Sequence, residues 1–458
     1  MSKSSNSVNS GSIVVQVGQC GNQIGPQLFR LAEECVTGMV DRSGVCRAVC
    51  VDTEDKVANA TTLNRCLTKA RYRQGNVING HFGRGSNWAM GYNLEERYGF
   101  RGEDSFMDQC MDKIRLEAER CDCFMATAMV HSMAGGTGSG VGSRLSRELR
   151  DMFPNRYIVS VVVAPLSVGE NPMQCYNSLL CCTHLTTTSD QIILLENDSF
   201  APKFNIDNSS ASGDNSSSYS KPNTAKTTKG SRNVGFDQIN QHFASSLAGI
   251  LFPTDDVAES GNNCSARYRN VKPGMEIAEL VRSVCPDPSL RFSRLDSVSK
   301  SATSTATPES ILHSLSNIYK TSVSYNNQSN SYTHPSRCIA CVAAFRGGSN
   351  SALKYDSVKE RLSFLKPVAW NPFWLDVWTS ADCIPLSDVN LKSQSVSLCS
   401  NSSSISRYLD KVWCTARHKF EHNAYLHWYE NFECTKTDFD EAFHTLQNVV
   451  QEYNEAVA

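Results

Sequence analysis

The amino-acid sequence predicts an α/β protein whose first half is a parallel sheet covered by helices on both faces. Three observations carry this. Compact β-branched or apolar runs alternate with stretches of helical period, glycine-rich turns follow two of those runs, and the closing part of the chain returns to helical spacing alone. At 458 residues the chain exceeds what a single hydrophobic core fills, so two or three domains are expected.

The elements follow in order. Residues 13–17 form a buried strand that breaks into Gly18-Gln19-Cys20-Gly21-Asn22-Gln23-Ile24-Gly25, after which Leu28, Leu31, Ala32 and Cys35 recur at helical spacing. Ala48-Val49-Cys50-Val51 is a second strand. Residues 124–130 are a third, running into Ser132-Met133-Ala134-Gly135-Gly136-Thr137-Gly138-Ser139-Gly140 and a helix through Leu145 and Leu149. Residues 157–164 and 191–195 are two more strands, separated by a helix around 176–185. Residues 207–232 are almost wholly Ser, Asn, Lys, Thr, Gly and Asp, which reads as a low-complexity insert unable to bury a core. Phe236, Ile239, Phe243, Leu247 and Ile250 then mark a long amphipathic helix ending near Pro253. A second region, 254–395, has an apolar strand at 338–345 and a Ser/Thr-rich interruption at 297–310. Leu409, Val412, Trp413 and Ala416, then Phe439, Phe443, Leu446 and Val450, mark two closing helices.

Composition excludes several classes. With 40% apolar and 20% charged residues the chain is of folded type, and a net charge of -2 provides no bulk attraction to nucleic acid or an anionic membrane. The first residues, Ser/Asn-rich, lack the pattern of a secretory signal, and no apolar run approaches the ~20 residues that span a bilayer. The 19 scattered cysteines read as reduced thiols of a cytoplasmic protein.

The chemistry concentrates in the glycine turns. Residues 132–140 follow a strand and open a helix, so consecutive amides converge while the helix N-terminus adds positive charge, an arrangement suited to phosphate. Glycine is expected there because a side chain would block close approach of the backbone to the ligand, so Gly136→Val is expected to abolish binding. The turn lacks the lysine of the common P-loop, leaving charge compensation to amides and a cation. Asp52 and Glu54, at the end of the neighbouring strand, suit a magnesium ion held through waters. A competing reading is His418-Lys419-Phe420-Glu421-His422, which fits the HxxEH pattern of zinc peptidases, with Glu433, Glu441 and Glu452 as candidate third ligands. Cys338-Ile339-Ala340-Cys341 is a lone CxxC, read as buried thiols.

The pair Gly18-Gln19-Cys20-Gly21-Asn22-Gln23-Ile24-Gly25 and Ala134-Gly135-Gly136-Thr137-Gly138-Ser139-Gly140 resembles the signature of the tubulin family. The likeness extends through Val51-Asp52-Thr53-Glu54, Gly85-Ser86-Asn87-Trp88-Ala89, Tyr176-Asn177 and Tyr425-Leu426-His427-Trp428-Tyr429. Leu195-Glu196-Asn197-Asp198 and Phe236-Asp237-Gln238-Ile239-Asn240 are most similar to its delta branch. The resemblance implies a GTP-binding domain with a central helix (1–206 plus 233–252, interrupted by the 207–232 insert), a smaller α/β intermediate domain (253–395) and C-terminal helices (396–458). It implies GTP and Mg2+ as cofactors. Gln19 and Cys20 would line the phosphate and base site, Ser132, Ala134, Gly135, Gly136, Thr137, Gly138 and Ser139 the phosphates, Gln174 would stand near the ribose, Glu170 would also bind the nucleotide, and Asn197 and Asn240 would hydrogen-bond guanine with Phe236 stacked on it, a carboxamide being able to satisfy its polar edge.

Departures are Ala134 for a glycine, Gln174 for a glutamate, Ser86 for an asparagine, and no acidic tail after Glu455. In Gly274-Met275-Glu276-Ile277-Ala278-Glu279-Leu280 the resemblance implies that Glu279 is the catalytic acid, supported by Glu276, acting on the GTP of a longitudinal neighbour in a slow, assembly-dependent GTPase. The implied partners are other tubulins, epsilon-tubulin or conventional alpha- and beta-tubulin, in centriole or basal-body microtubules. A GTP-binding structural or adaptor protein without turnover is the alternative.

Overall fold

A computed structural model describes residues 10–32, 38–54, 72–80, 82–98, 105–166, 171–199, 233–259, 267–269, 276–301, 308–325, 336–347, 354–384 and 393–457. The insert at 207–232 and Glu170 lie outside the described residues. The described strands are β1 (Ser10–Val17), β2 (Ala48–Asp52), β3 (Val77–Asn79), β4 (Cys123–Ser132), β5 (Tyr157–Ala164), β6 (Gln191–Glu196), β7 (Asp256–Glu259), β8 (Arg267–Arg269), β9 (Phe292–Ser301), β10 (Cys338–Arg346), β11 (Leu375–Ser380) and β12 (Ser393–Ser402). The described helices are α1 (Gly18–Ala32), α2 (Trp88–Tyr98), α3 (Phe106–Glu119), α4 (Gly142–Met152), α5 (Gln174–Thr188), α6 (Asn233–Leu251), α7 (Glu276–Val284), α8 (Pro308–Tyr325), α9 (Tyr355–Arg361), α10 (Ser404–Glu421), α11 (Leu426–Glu430) and α12 (Lys436–Glu455).

The strands form one sheet in the order β3-β2-β1-β4-β5-β6-β9-β12-β10-β11-β7-β8. It is parallel from β3 through β9 and mixed beyond. Strands β1, β2, β4, β5 and β6 are nearly continuous apolar runs because both faces are covered. One core packs α1, α6 and α7 against one face, and another packs α5, α10, α11 and α12 on the other.

Sequence patterning mistook one stretch. The Ser/Thr-rich 297–310 segment was expected to interrupt the second region, yet β9 continues through Ser301 and α8 starts at Pro308. The equally serine-rich β12 (SQSVSLCSNS) lies beside it and had no strand signature. The reason is close packing of α6. A Cβ built on Gly249 would fall 2.0 Å from Ser397 Oγ, and Ser246 Oγ and Ser297 Oγ are 2.5 Å apart, so Ser297 and Ser397 meet the C-terminal half of this helix where there is room only for small side chains. Hydroxyls tolerate that burial by bonding one another.

Candidate functional site

The two glycine turns meet at the carboxyl ends of β1 and β4. Val17 ends β1, and Gly18 at φ 70° turns the chain into α1. A Cβ built on Gly18 would lie 3.2 Å from the Gly138 amide nitrogen, so the turns are in contact. Gln19 is exposed and Cys20 half-buried in the first turn of α1, and burial pushes the Cys20 thiol up to about 12. After β4, Ser132 Oγ accepts the Ala134 amide at 3.1 Å, and Gly136–Val141 form a π-helical turn leading into α4. Thr137 Oγ1 lies 2.6 Å from Thr53 Oγ1, closing the turn onto the end of β2.

The glycines serve different ends, which corrects the reason expected for Gly136. A Cβ there would sit 2.3 Å from the Arg84 carbonyl oxygen, one on Gly138 2.6 Å from the Ser132 carbonyl, and one on Gly140 2.2 Å from the Trp88 carbonyl. These three are glycine because the chain packs on itself. Gly135 alone of the group has open space for 4 Å, with extended φ -98° and ψ 170°. Among the described residues Gly135 is therefore the position of the turn at which a ligand can come closest to the backbone.

Asp52 ends β2, nearly inaccessible. Its Oδ1 accepts the Glu54 amide at 3.1 Å, while Oδ2 is buried without a hydrogen-bond partner among the described residues. Burial raises this carboxyl above the usual range. A hydrated divalent cation at the strand end would satisfy that oxygen and offset the desolvation, so the donor chemistry fits magnesium. Glu54 is exposed beside Gly83, where a built Cβ would lie 3.0 Å from Glu54 Oε1.

The residues expected at the ribose and base lie at the start of α5, after β6 and on α6. Gln174 opens α5 with Nε2 donating to the Leu166 carbonyl at 3.0 Å, and a cavity of about 80 Å³ beside it is lined by Glu196, Asp198, Tyr408 and Lys411. Asn197 is half-buried directly after β6. On α6, Phe236 is exposed one turn before Asn240, which is buried with Nδ2 donating to Gln23 Oε1 of α1 at 3.1 Å. Gln23 was not singled out from the sequence, and its partner two hundred residues away could not have been read from spacing. A larger cavity of about 230 Å³ lies between α6 and strands β9 and β12, with a lining of serines, amides and His242 that offers no fixed charge.

Glu276 and Glu279 are not at the paired glycine turns, the proposed phosphate cradle. They sit on α7, whose last turn reaches the amino ends of β6 and β9: Asn401 Nδ2 donates to the carbonyls of Val284 (3.1 Å) and Leu290 (2.6 Å), and Ile192 N donates to the Arg291 carbonyl (2.8 Å). That is the end of the sheet opposite the glycine turns. Glu276 is buried; Glu279 is partly exposed and paired with Arg282 Nε at 3.0 Å.

His418, Glu421 and His422 lie on the solvent side of α10, the glutamate paired with Arg417 at 3.2 Å and His422 Nδ1 2.8 Å from the His418 carbonyl. Among the described residues no group of three His, Cys, Asp or Glu is arranged to hold a metal ion, so Glu433, Glu441 and Glu452 are not brought to these histidines. Cys338 and Cys341 are buried in β10, where burial pushes the Cys341 thiol up. Among the described residues no helix is long and apolar enough to cross a membrane.

Residues 12–203 match the Tubulin/FtsZ family, GTPase domain. The chain is similar to the tubulin delta chain of Macaca fascicularis, 28% identical over 501 residues covering 96% of this chain and 99% of that one. It is 27% identical to the tubulin delta chain of Homo sapiens over 505 residues, with 96% and 99% covered. To the tubulin epsilon chain of Homo sapiens it is 26% identical over 494 residues, with 97% and 95% covered.

Proposed function

We propose that this chain, a member of the tubulin superfamily similar to tubulin delta chains over nearly its whole length, is a GTP-binding subunit of microtubule-based structures of the cytoskeleton, with centriole or basal-body triplet microtubules as its place of work. The observation that carries the nucleotide reading is the contact of Gly18 with the Gly138 amide at the carboxyl ends of β1 and β4, where parallel sheets bind ligands. Ser132 and Ala134 to Gly138 with Gln19 and Cys20 would hold the phosphates, Asp52 and Glu54 the magnesium ion, Gln174 the ribose, and Asn197, Phe236 and Asn240 the guanine, with Glu170 also among the nucleotide-binding residues. In this reading residues 1–206 with 233–252 are the nucleotide domain, 253–395 the intermediate domain and 396–458 the outer helical layer.

Placement of α7 at the far end of the sheet supports hydrolysis completed across a longitudinal contact, since Glu279 is remote from its own chain's cradle. There its carboxylate would leave Arg282, an exposed pair worth at most ~1 kcal/mol, and orient the attacking water on a neighbour's nucleotide, with epsilon-tubulin or alpha- and beta-tubulin as partners. Bound magnesium would neutralise charge developing on the phosphates.

The test mixes the Glu279→Ala variant with partner tubulin under assembling conditions and follows phosphate release. The variant should bind GTP as tightly as the parent and stimulate hydrolysis on the order of a hundredfold or more less. Equal release would leave a GTP-binding structural subunit without turnover of this kind.

A further inference from the structure

The outer helical layer reaches the second glycine turn through a buried carboxamide, Asn177, whose two carbonyl partners also accept longer bonds from Asn171 Nδ2, both at 3.3 Å. Asn177 of α5 uses both amide protons and both acceptor positions: Nδ2 donates to the carbonyls of Ser86 (2.8 Å) and Ala134 (2.7 Å), and Oδ1 accepts from the Trp88 amide (2.9 Å) and the Tyr429 hydroxyl (2.7 Å). Ala134 belongs to the cradle. Ser86 belongs to the segment that roofs it, because Arg84 and Asn87 are the atoms a side chain on Gly136 would strike. Tyr429 belongs to α11 of the outer layer, is fully buried, and stands edge-on to Tyr176 and Phe439. The same bridge is doubled by Asn87 Nδ2, which donates to the Trp428 carbonyl at 2.8 Å.

The roof needs such a tie. Gly85 and Ser86 are both left-handed, at φ 52° and 51°, a conformation a serine adopts only at a cost on the order of 1 kcal/mol. A loop held in that state against the glycine turn keeps its place when an outside group over-determines it.

We propose that Asn177 and Tyr429 are positioning residues for the phosphates of the bound nucleotide, setting the gap between cradle and roof and tying that gap to the outer helices. The inference rests on the nucleotide reading above. If the loops are released, the ligand must order them on binding, and its affinity falls. No other residue type of this size offers two donors and two acceptors in one plane, so the arrangement is specific to asparagine at position 177.

The experiment measures Mg-GTP affinity by calorimetry, and thermal midpoints without nucleotide, for the parent, Tyr429→Phe, Asn177→Leu, the double variant and Tyr453→Phe. Tyr453 carries a buried hydroxyl bonded to β9 and Asn401, at the far end of the sheet, and controls for a purely structural loss. Tyr429→Phe should bind about fivefold more weakly, as removal of one buried hydrogen bond predicts, and Asn177→Leu at least tenfold more weakly. The double variant should be no weaker than Asn177→Leu, because both act through one group. Tyr453→Phe should lower the midpoint and leave affinity unchanged. Full affinity in Tyr429→Phe, or an equal loss in Tyr453→Phe, overturns the positioning role. A parent that fails to bind Mg-GTP instead overturns the nucleotide reading itself.

Discussion

At Gly135 no atom of the described residues lies within 4 Å of a built Cβ, while one residue later the Arg84 carbonyl is 2.3 Å away. Gly135→Val should therefore fold with an unchanged urea midpoint, since its extended backbone suits a β-branched side chain, and lose GTP binding measured by calorimetry. Gly136→Val should lose several kcal/mol of stability against the Arg84 backbone, so its failure to bind would say nothing about a phosphate path. Full GTP affinity in a folded Gly135→Val would sink the site assignment. Beneath the same turn, His131 lies fully buried one residue before the end of β4, and burial lowers its pKa from 6.5 to about 4. The lowered value means that the unfolded chain takes up a proton the fold refuses. His131 therefore adds full stability above pH 6.5, and that stability is lost as pH falls from 6.5 towards 4. Between pH 7 and 5 the parent should lose on the order of 2 kcal/mol more than His131→Met in urea titrations. Parallel curves would show that the ring is protonated in the fold.

Helix α12 shows how an element is placed by a few groups at its ends. Thr435 and Asp438 form a reciprocal capping box at its start. Phe439, Phe443 and Leu446 bury one face, as their spacing predicts, and near its end the Tyr453 hydroxyl is bonded to both backbone groups of Phe292. Tyr453→Phe leaves the Phe292 amide buried without that partner, so the expected cost is about 2 kcal/mol, read as a drop in urea midpoint. A change below ~0.5 kcal/mol would show that the amide finds another acceptor. The apolar period made α12 legible in sequence, whereas the hydroxyl's partner was not, because it lies on a strand 161 residues earlier.

Across the molecule, the sheet joins its two halves where β6 pairs in parallel with β9. Arg294 stands at that seam, nearly inaccessible, with Nη1 3.2 Å from Glu196 Oε1 and Nε 3.3 Å from Asp296 Oδ2. Glu196 directly precedes Asn197 of the proposed guanine end, so the charge cluster links that end to the second region. Removing one member of a buried cluster strands the rest. Arg294→Met should cost about 3–5 kcal/mol, seen as a large loss in thermal midpoint. A midpoint within a degree of the parent would show that the acids are protonated or hydrated at the seam.

The alternation of apolar runs and helical periods, together with glycines at two strand ends, determined by itself the parallel sheet and the place of its cradle. Each of those signals is local, written within a few residues of the element it specifies. Tertiary structure alone settled what depends on approach between distant segments. It made strands of serine-rich β9 and β12 through their antiparallel pairing, with α6 close on Ser297 and Ser397 at Ser246 and Gly249. It separated the glycine that faces open space from those that face their own backbone. It gathered Asn177, Ser86, Ala134 and Tyr429 from four parts of the chain into one hydrogen-bonded group. Period and propensity carry no distance information, and a hydrogen bond between residues 252 positions apart leaves no trace in either.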